Sequence, residues 1–347
     1  MIVFLSENDV QTAITMPETL AIVEAAFGDY ALGQAILLPR MSQIMPGTTG
    51  IFRILGATLP QQQMFGLKTL TGFPGRRLNH EVYFAILLFE MGSGALRAVI
   101  SANYLTGLRT GAASGVAAKY LARGDASSLG IVGAGVQAWY QAEALCAVRD
   151  IRTARVFSRN KSKAEAFALR LQTMLSVDAV AVDSAEEAVR DTDLVIAATS
   201  SSEPIIQGAW LEPGTHVSGI GANTPTKKEL DPTCFEHARV VADSREQVIA
   251  ECGDLREAIE GGTVKADVVY AELGELATGL KEGRVSAEEI TIFKSVGVAL
   301  QDIAVAAALF EIATRCRLGT PLDPFALSVP PGQGVQVQET LHGYTVR

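Results

Sequence analysis

Cysteine is scarce and scattered in this chain of 347 residues. Cys146, Cys234, Cys252 and Cys316 form no Cys-x-x-Cys pair, which argues against a disulfide framework and a thiolate metal site. They read as reduced, structural thiols of a cytoplasmic protein. Histidine is equally rare, and no His, Cys or Asp cluster has metal-ligand spacing, so no metal is expected. Apolar runs fall short of the roughly 20 residues of a membrane span, so no membrane is expected as a partner. Met1 to Glu7 lacks the charged-then-apolar layout of a signal peptide. Long basic runs are absent too and the net charge is −9, so nucleic acid is not expected as a partner. No internal repeat or low-complexity tract interrupts the chain.

What is present is hydrophobic content of 48% over a length sufficient for two domains with their own cores. The most informative stretch is Ser127 to Asn160. An apolar run, Leu129 to Val132, leads into Gly133-Ala134-Gly135-Val136-Gln137-Ala138, which is Gly-x-Gly-x-x-Ala between a strand and a helix. Gly133 permits a tight turn, Gly135 lets a pyrophosphate approach the backbone, and Ala138 keeps the helix near the sheet. The helix N-terminus offers free N–H groups and the positive end of its dipole. A second strand, Ala154 to Phe157, follows one helix later, where the ribose-reading residue belongs.

That strand ends in Ser158-Arg159-Asn160-Lys161. An NAD site usually carries an acid there for the ribose 2′-hydroxyl. A hydroxyl, a guanidinium and an ammonium suit a 2′-phosphate instead, so NADP(H) is expected to be preferred, with NAD(H) possible. Solvated residues opening the next helix would look the same.

From residue 127 onward strands alternate with helices. Strands are expected at 129–132, 154–157, 179–182, 193–198, 215–219, 238–242 and 290–293. Helices are expected around 136–148, 161–175, 184–190 and 246–260. The alternation predicts an α/β, doubly wound parallel sheet. The first 120 residues differ. Thr15-Met16-Pro17-Glu18 starts a helix carrying Leu20, Val23 and Phe27, and short strands follow at 51–55, 64–70 and 83–90, an α+β pattern. Leu105 to Ala122 reads as a helix of small residues able to approach a neighbour closely. Its expected start holds Leu108-Arg109-Thr110-Gly111, where a helix N-terminus would meet a phosphate. Val298 to Leu318 reads as an apolar helix between the domains.

Without a metal or a Ser-His-Asp pattern, chemistry is expected from a cofactor's hydride and the basic groups around it. Lys68 lies inside the apolar strand Phe65 to Leu70, so it either faces solvent or is held for a purpose. Arg40 follows a proline in an uncharged stretch, and Arg109 is the only charge between Ala102 and Ala118. Arginines that grip a substrate carboxylate look like this, and so do ordinary surface arginines.

Taken together, several stretches resemble the ornithine cyclodeaminase/mu-crystallin family along nearly the whole chain. They are Leu105 to Ser114, Gly130 to Ala138, Ala197 to Ser201, Gly219 to Asp231 and Lys294 to Asp302. The resemblance implies a Rossmann-type sheet at 121–311, inserted in an α+β substrate-binding and dimerisation domain of residues 1–120 plus 312–347. It implies a homodimer through the first domain's sheet. It implies that Arg40, Lys68 and Arg109 meet the carboxylate and reacting centre of a small amino or imino acid. It implies that Arg109, Thr110, Val136, Gln137, Thr199, Lys227 and Ser295 line the cofactor, with Val296 near the substrate; Gly133, Gly135, Ser158, Arg159 and Asn160, read from the glycine turn and the strand end, join them as expected cofactor residues, as do Ile220 and Val296.

Two departures from the family pattern matter. Cyclodeaminases carry a proton-exchanging aspartate where this chain has Asn223, which cannot exchange a proton near neutral pH. The acidic ribose reader is replaced by Ser158. Both imply an NAD(P)H-dependent imine reductase or amino-acid dehydrogenase, which exchanges its cofactor each turnover. The alternatives are an ornithine cyclodeaminase with catalytic NAD, and a non-catalytic NADPH-dependent binder. In Asn79-His80-Glu81, His80 or Glu81 is a candidate proton donor, or part of a plain polar loop.

Overall fold

The computed structural model describes residues 2–73 and 82–323. The chain opens with β1 (Ile2–Leu5), α1 (Glu7–Ala13) and α2 (Met16–Ala31). Thr15 and Glu18 cap α2 reciprocally, Pro17 sits in its first turn, and Leu20, Val23 and Phe27 are buried as their spacing predicts. Then come β2 (Ile36–Leu37), β3 (Met41–Ile44), β4 (Ile51–Leu59), β5 (Met64–Gly72), β6 (Val82–Glu90) and β7 (Leu96–Ser101). The helix α3 (Asn103–Leu121) leads into the second half: β8 (Ser128–Val132), α4 (Val136–Val148), β9 (Thr153–Phe157), α5 (Lys161–Leu175), β10 (Asp178–Ala181), α6 (Ala185–Val189), β11 (Leu194–Ala197) and β12 (His216–Gly219). It continues through β13 (Ala238–Ala242), α7 (Arg245–Glu251), α8 (Gly253–Glu260), β14 (Val269–Glu272), α9 (Leu273–Ala277) and β15 (Ile290–Lys294). It closes with α10 (Ala299–Cys316) and β16 (Thr320–Leu322).

Two sheets organise these elements. The first runs β16-β1-β7-β6-β5-β4-β2, with β3 also on β4, and mixes parallel and antiparallel pairs. The second runs β10-β9-β8-β11-β12-β15-β13-β14 and is parallel throughout. The chain winds from β8 outward to β10, then restarts at β11 on the other side of β8. The crevice at that switch point lies at the carboxyl ends of the strands, where ligands bind in such sheets.

Each sheet has its own core. Leu5, Phe27, Leu59, Ile86, Leu105 and Ile303 belong to the core of the first. The second is covered on both faces, by clusters around Val195 and Phe235 and around Ile131 and Leu145, as a parallel sheet requires.

Three expectations change. The helix around Arg109 begins at Asn103, so Leu108 to Gly111 lie inside it rather than at its N-terminus. The apolar helix expected between the domains is α10, which packs on β4, β5 and β6 and against α2; the boundary drawn at 311 falls within it. The helix expected over 246–260 is broken at Cys252 into α7 and α8. The small residues of α3 do bring a neighbour close: a Cβ on Gly111 would lie 2.2 Å from the Tyr140 carbonyl oxygen of α4.

Candidate active site

Two adjoining cavities open at the crevice and share Ala198 and Thr199. The first, about 230 Å3, lies between the sheets. The first sheet contributes Arg53, Leu55, Lys68, Leu70 and Phe84, and α3 contributes Thr106, Arg109 and Thr110. The loops after β11, β12 and β15 contribute Thr199, Ile220, Asn223, Lys227, Ser295, Val296 and Gly297. Arg40 and Gln137 complete it. Five of these side chains are cationic, and none of the lining residues is a carboxylate.

The carboxylates stand behind the wall. Asp302, fully buried in the first turn of α10, accepts from Lys68 Nζ at 2.8 Å and from Arg109 Nε at 2.8 Å through one oxygen, Oδ1. Gln301 Oε1 accepts from the same guanidinium. Lys68 is 2% exposed, which settles the question its strand position raised: it is held, not solvated. Its ammonium also sits 4.6 Å from the centre of the Phe84 ring. Burial pushes Lys68 down to about 7, with Arg109 adding to the fall and Asp302 opposing it. Arg40 bridges to α7 of the second half, donating to Glu251 at 2.5 Å, to Gln247 at 2.9 Å and to the Gly297 carbonyl. Its Nε is buried without a partner among the described residues.

Two more buried carboxylates fix the loops. Glu229 accepts from the backbone N–H groups of Thr199, Gly221 and Ala222, joining the loops after β11 and β12. Asp243 accepts from Ser295 Oγ and the Gly297 N–H, both at 2.7 Å, fixing the loop after β15. Burial pushes both carboxyls up, against the hydrogen bonds that favour their charged forms.

The second cavity, about 200 Å3, is lined by Val132 to Gly135, Phe157 to Arg159, Lys163 and Ala198 to Ser201. Gly133 turns at φ +110°, and a Cβ there would meet the Ala198 carbonyl at 2.4 Å, so glycine is required. At Gly135 a Cβ would point into open space, and no side chain caps α4 there. Free N–H groups beside an open cradle are what a pyrophosphate needs, so a dinucleotide fits these residues.

The sequence profile of the ornithine cyclodeaminase/mu-crystallin family matches residues 2–316. The alanine dehydrogenase of Archaeoglobus fulgidus is 37% identical over 325 residues, covering 93% of this chain and 98% of that one. The structure of Thermococcus litoralis Delta(1)-pyrroline-2-carboxylate reductase in complex with NADH and L-proline superposes with a TM-score of 0.89. It is 35% identical and covers 92% of this chain and all of its own. An archaeal alanine dehydrogenase dimer with bound NAD gives a TM-score of 0.88 at 36% identity, covering 93% of this chain and 99% of that one. The chain belongs to the ornithine cyclodeaminase/mu-crystallin family.

In this family member the first cavity brings together Arg40, Lys68, Arg109, Thr110, Gln137, Thr199, Ile220, Asn223, Lys227, Ser295 and Val296. The second gathers Gly133, Gly135, Ser158, Arg159 and again Thr199. Val136 and Asn160 line neither. Val136 is 71% exposed, and Asn160 caps α5 by accepting from the Lys163 N–H. Lys161 turns away to Asp183, and Lys163, half a turn on, takes its place in the cavity wall. His80 and Glu81 lie outside the described residues. Sequence reasoning missed Arg53, Asp243 and Asp302. Asp302 had a readable signal, as a carboxylate in the first turn of a mostly apolar helix.

Proposed function

We propose that the protein transfers hydride between a nicotinamide dinucleotide and the C–N bond of an α-imino or α-amino acid. One observation carries the reading: a cavity with five cations and no carboxylate in its wall adjoins the glycine cradle of a Rossmann sheet. When bound, the nicotinamide supplies or accepts the hydride. Gly133, Gly135 and the α4 N-terminus would hold its pyrophosphate, and Thr110, Thr199, Lys227 and Ser295 would flank it on the side of the first cavity.

Arg109 orients the substrate carboxylate with the part of its guanidinium that Asp302 and Gln301 leave free. Arg40 adds charge and, through Glu251 and Gln247, holds the two halves of the cleft together. Leu55, Leu70, Phe84 and Val296 keep the pocket apolar around the reacting carbon. Lys68 holds a proton at Nζ. It gives that proton to the substrate nitrogen in reduction and takes it back in oxidation, which its position near neutrality allows in both directions. A pure binder has no use for a desolvated lysine of this kind. A homodimer fits the outer strand β3, which exposes Met41 and Ile44, and the four free thiols fit a cytoplasmic setting.

NADPH is expected to be preferred over NADH. Arg159 and Lys163 line the second cavity, and no carboxylate does. Ser158→Asp should move the preference toward NADH, since the new carboxylate repels a 2′-phosphate and accepts from a 2′-hydroxyl. Equal use of both cofactors by wild type, unmoved by the substitution, would refute the assignment. Cyclodeaminase activity should be weak, because the Asn223 amide, held by Lys227 Nζ at 3.1 Å, carries no exchangeable proton near neutrality. Ornithine converted to proline with catalytic NAD should run about a hundredfold or more below the imine reductase rate, the scale of a missing acid–base group. Comparable rates would show that another group carries the proton.

A further inference from the structure

We propose that Lys294, which lines neither cavity, is a positioning residue for the cofactor: it balances the buried charge of Glu229 and so keeps the loops after β11 and β12 shaped for a dinucleotide. This rests on the crevice being a dinucleotide site and names what holds that site in shape.

The backbone brings the two charges together. Lys294 ends β15 opposite Gly219, the last residue of β12. Its side chain runs under that strand end, where a Cβ on Gly219 would lie 2.7 Å from Lys294 Nζ. Two residues on, a Cβ on Gly221 would lie 2.4 Å from Glu229 Oε1. Glycine at both positions lets the loop settle onto a cation and an anion, both buried. Glu229 takes the Thr199 N–H at 2.5 Å on Oε1, and the Gly221 and Ala222 N–H groups at 2.6 and 3.2 Å on Oε2. Both oxygens accept, and these partners offer nothing to receive a carboxyl proton, so the loops need the ionised form.

A desolvated anion needs a cation beside it. Burial pushes the Glu229 carboxyl up, and Lys294 opposes that most strongly. Asp254 of α8 fixes the ammonium, accepting from Lys294 Nζ at 3.0 Å. The Leu230 and Leu255 N–H groups, at 3.3 and 2.8 Å, and Cys252 Sγ, at 3.1 Å, hold that carboxylate in turn. One buried ammonium therefore faces two buried carboxylates. Burial alone would pull Lys294 down, but Asp254, Cys252 and Glu229 hold it above its ordinary value. Lys227 also faces Glu229, from a half-buried place in the cavity wall where it donates to Asn223.

The test follows NADH binding to the full-length protein by nicotinamide fluorescence as pH falls from about 8 to about 6. NADH is the probe because a 2′-phosphate would itself titrate in that range. Lys294→Met/Asp254→Asn deletes the ion pair as a unit and leaves Glu229 without its cation, so Glu229 should take up a proton within the range. The NADH Kd should then rise about tenfold or more on acidification, measured against wild type, in which Lys68 titrates as it does in every variant. Asp254→Asn alone should show no such limb, since Lys294 remains. Adding Glu229→Gln to the double variant should remove the limb and leave binding weak at every pH. Lys294→Gln/Asp254→Asn serves the same purpose should the first pair fail to fold. An equal loss of affinity at all pH values in the double variant overturns the proposal, because Lys294 then only fills space. So does an unchanged affinity, or a limb that survives Glu229→Gln or appears with Asp254→Asn alone. Wild type that binds no NADH rejects the dinucleotide site itself, and the proposal with it. NADH bound with the expected limb, but no amino acid oxidised, leaves the role of Lys294 standing and rejects only the reaction.

Discussion

Lys68→Met is expected to lower kcat by about a hundredfold or more, the usual scale for a positioned proton-transfer group. Cofactor affinity should hardly change, because the glycine cradle and Arg159 lie in the second cavity, away from Lys68. The wild-type pH profile supplies the companion test. With the lysine pushed down to about 7, the protonated form needed for reduction is lost as pH rises through that value. Imine reduction should therefore fall above about pH 7 and amine oxidation should rise, with opposite limbs at the same midpoint. Both limbs should vanish in Lys68→Met. Arg40→Met is the contrasting variant. A carboxylate anchor and bridge between the halves should chiefly raise KM for the substrate. A Lys68→Met enzyme with normal kcat and an unchanged profile would show that the buried ammonium takes no part in the reaction.

Asp302→Asn should have the second large effect, and it should be felt in both stability and pH dependence. The substitution keeps the shape of the side chain and removes the carboxylate shared by Lys68 and Arg109. Breaking a buried ion pair by deleting one partner costs about 3–5 kcal/mol, since the other charge is left desolvated. Two cations depend on this one carboxylate, so the melting temperature should drop clearly. Because Asp302 holds the Lys68 pKa up, its loss should also move the limb of any remaining activity below about pH 7. The double variant Lys68→Met/Asp302→Asn should lose less stability than the two single losses added together, as expected for residues in contact. An unchanged melting temperature with the limb still near 7 would mean that something else balances the lysine.

Much of the second half was readable from local pattern. The β8–α4 turn, the β9 end and most strands follow from short-range rules: apolar runs, glycines that a turn requires, and helix starts. Its two missed strands are short: β14, Val269–Glu272, ends at an acid, and β16, Thr320–Leu322, pairs with β1 at the far end of the chain. In the first half, β1 and β7 were not expected. Each is short, and they pair with one another in parallel, a contact between residues about a hundred positions apart that no local pattern reveals. The family resemblance rested on the order and spacing of several stretches together.

By itself, the sequence determined the two kinds of architecture, the Gly-x-Gly turn between β8 and α4, and the absence of an acid in Ser158 to Lys161 after β9; that Asn223 stands where cyclodeaminases carry an aspartate came from the family resemblance. The first three are properties of residue type and local spacing, so a linear reading reaches them. Only the tertiary structure decided whether Lys68 was solvated or buried, because alternation along a strand does not say which face meets another layer. It was the seating of α10 on β4 to β6 that brought Asp302 to Lys68 and Arg109, across 234 and 193 residues of chain. The same packing set the protonation behaviour of the lysine, since a pKa follows from burial and neighbouring charge, which exist only once distant segments meet. Arg53 entered the cavity for the same reason: its row in the sheet is a matter of strand register, which partners far along the chain establish.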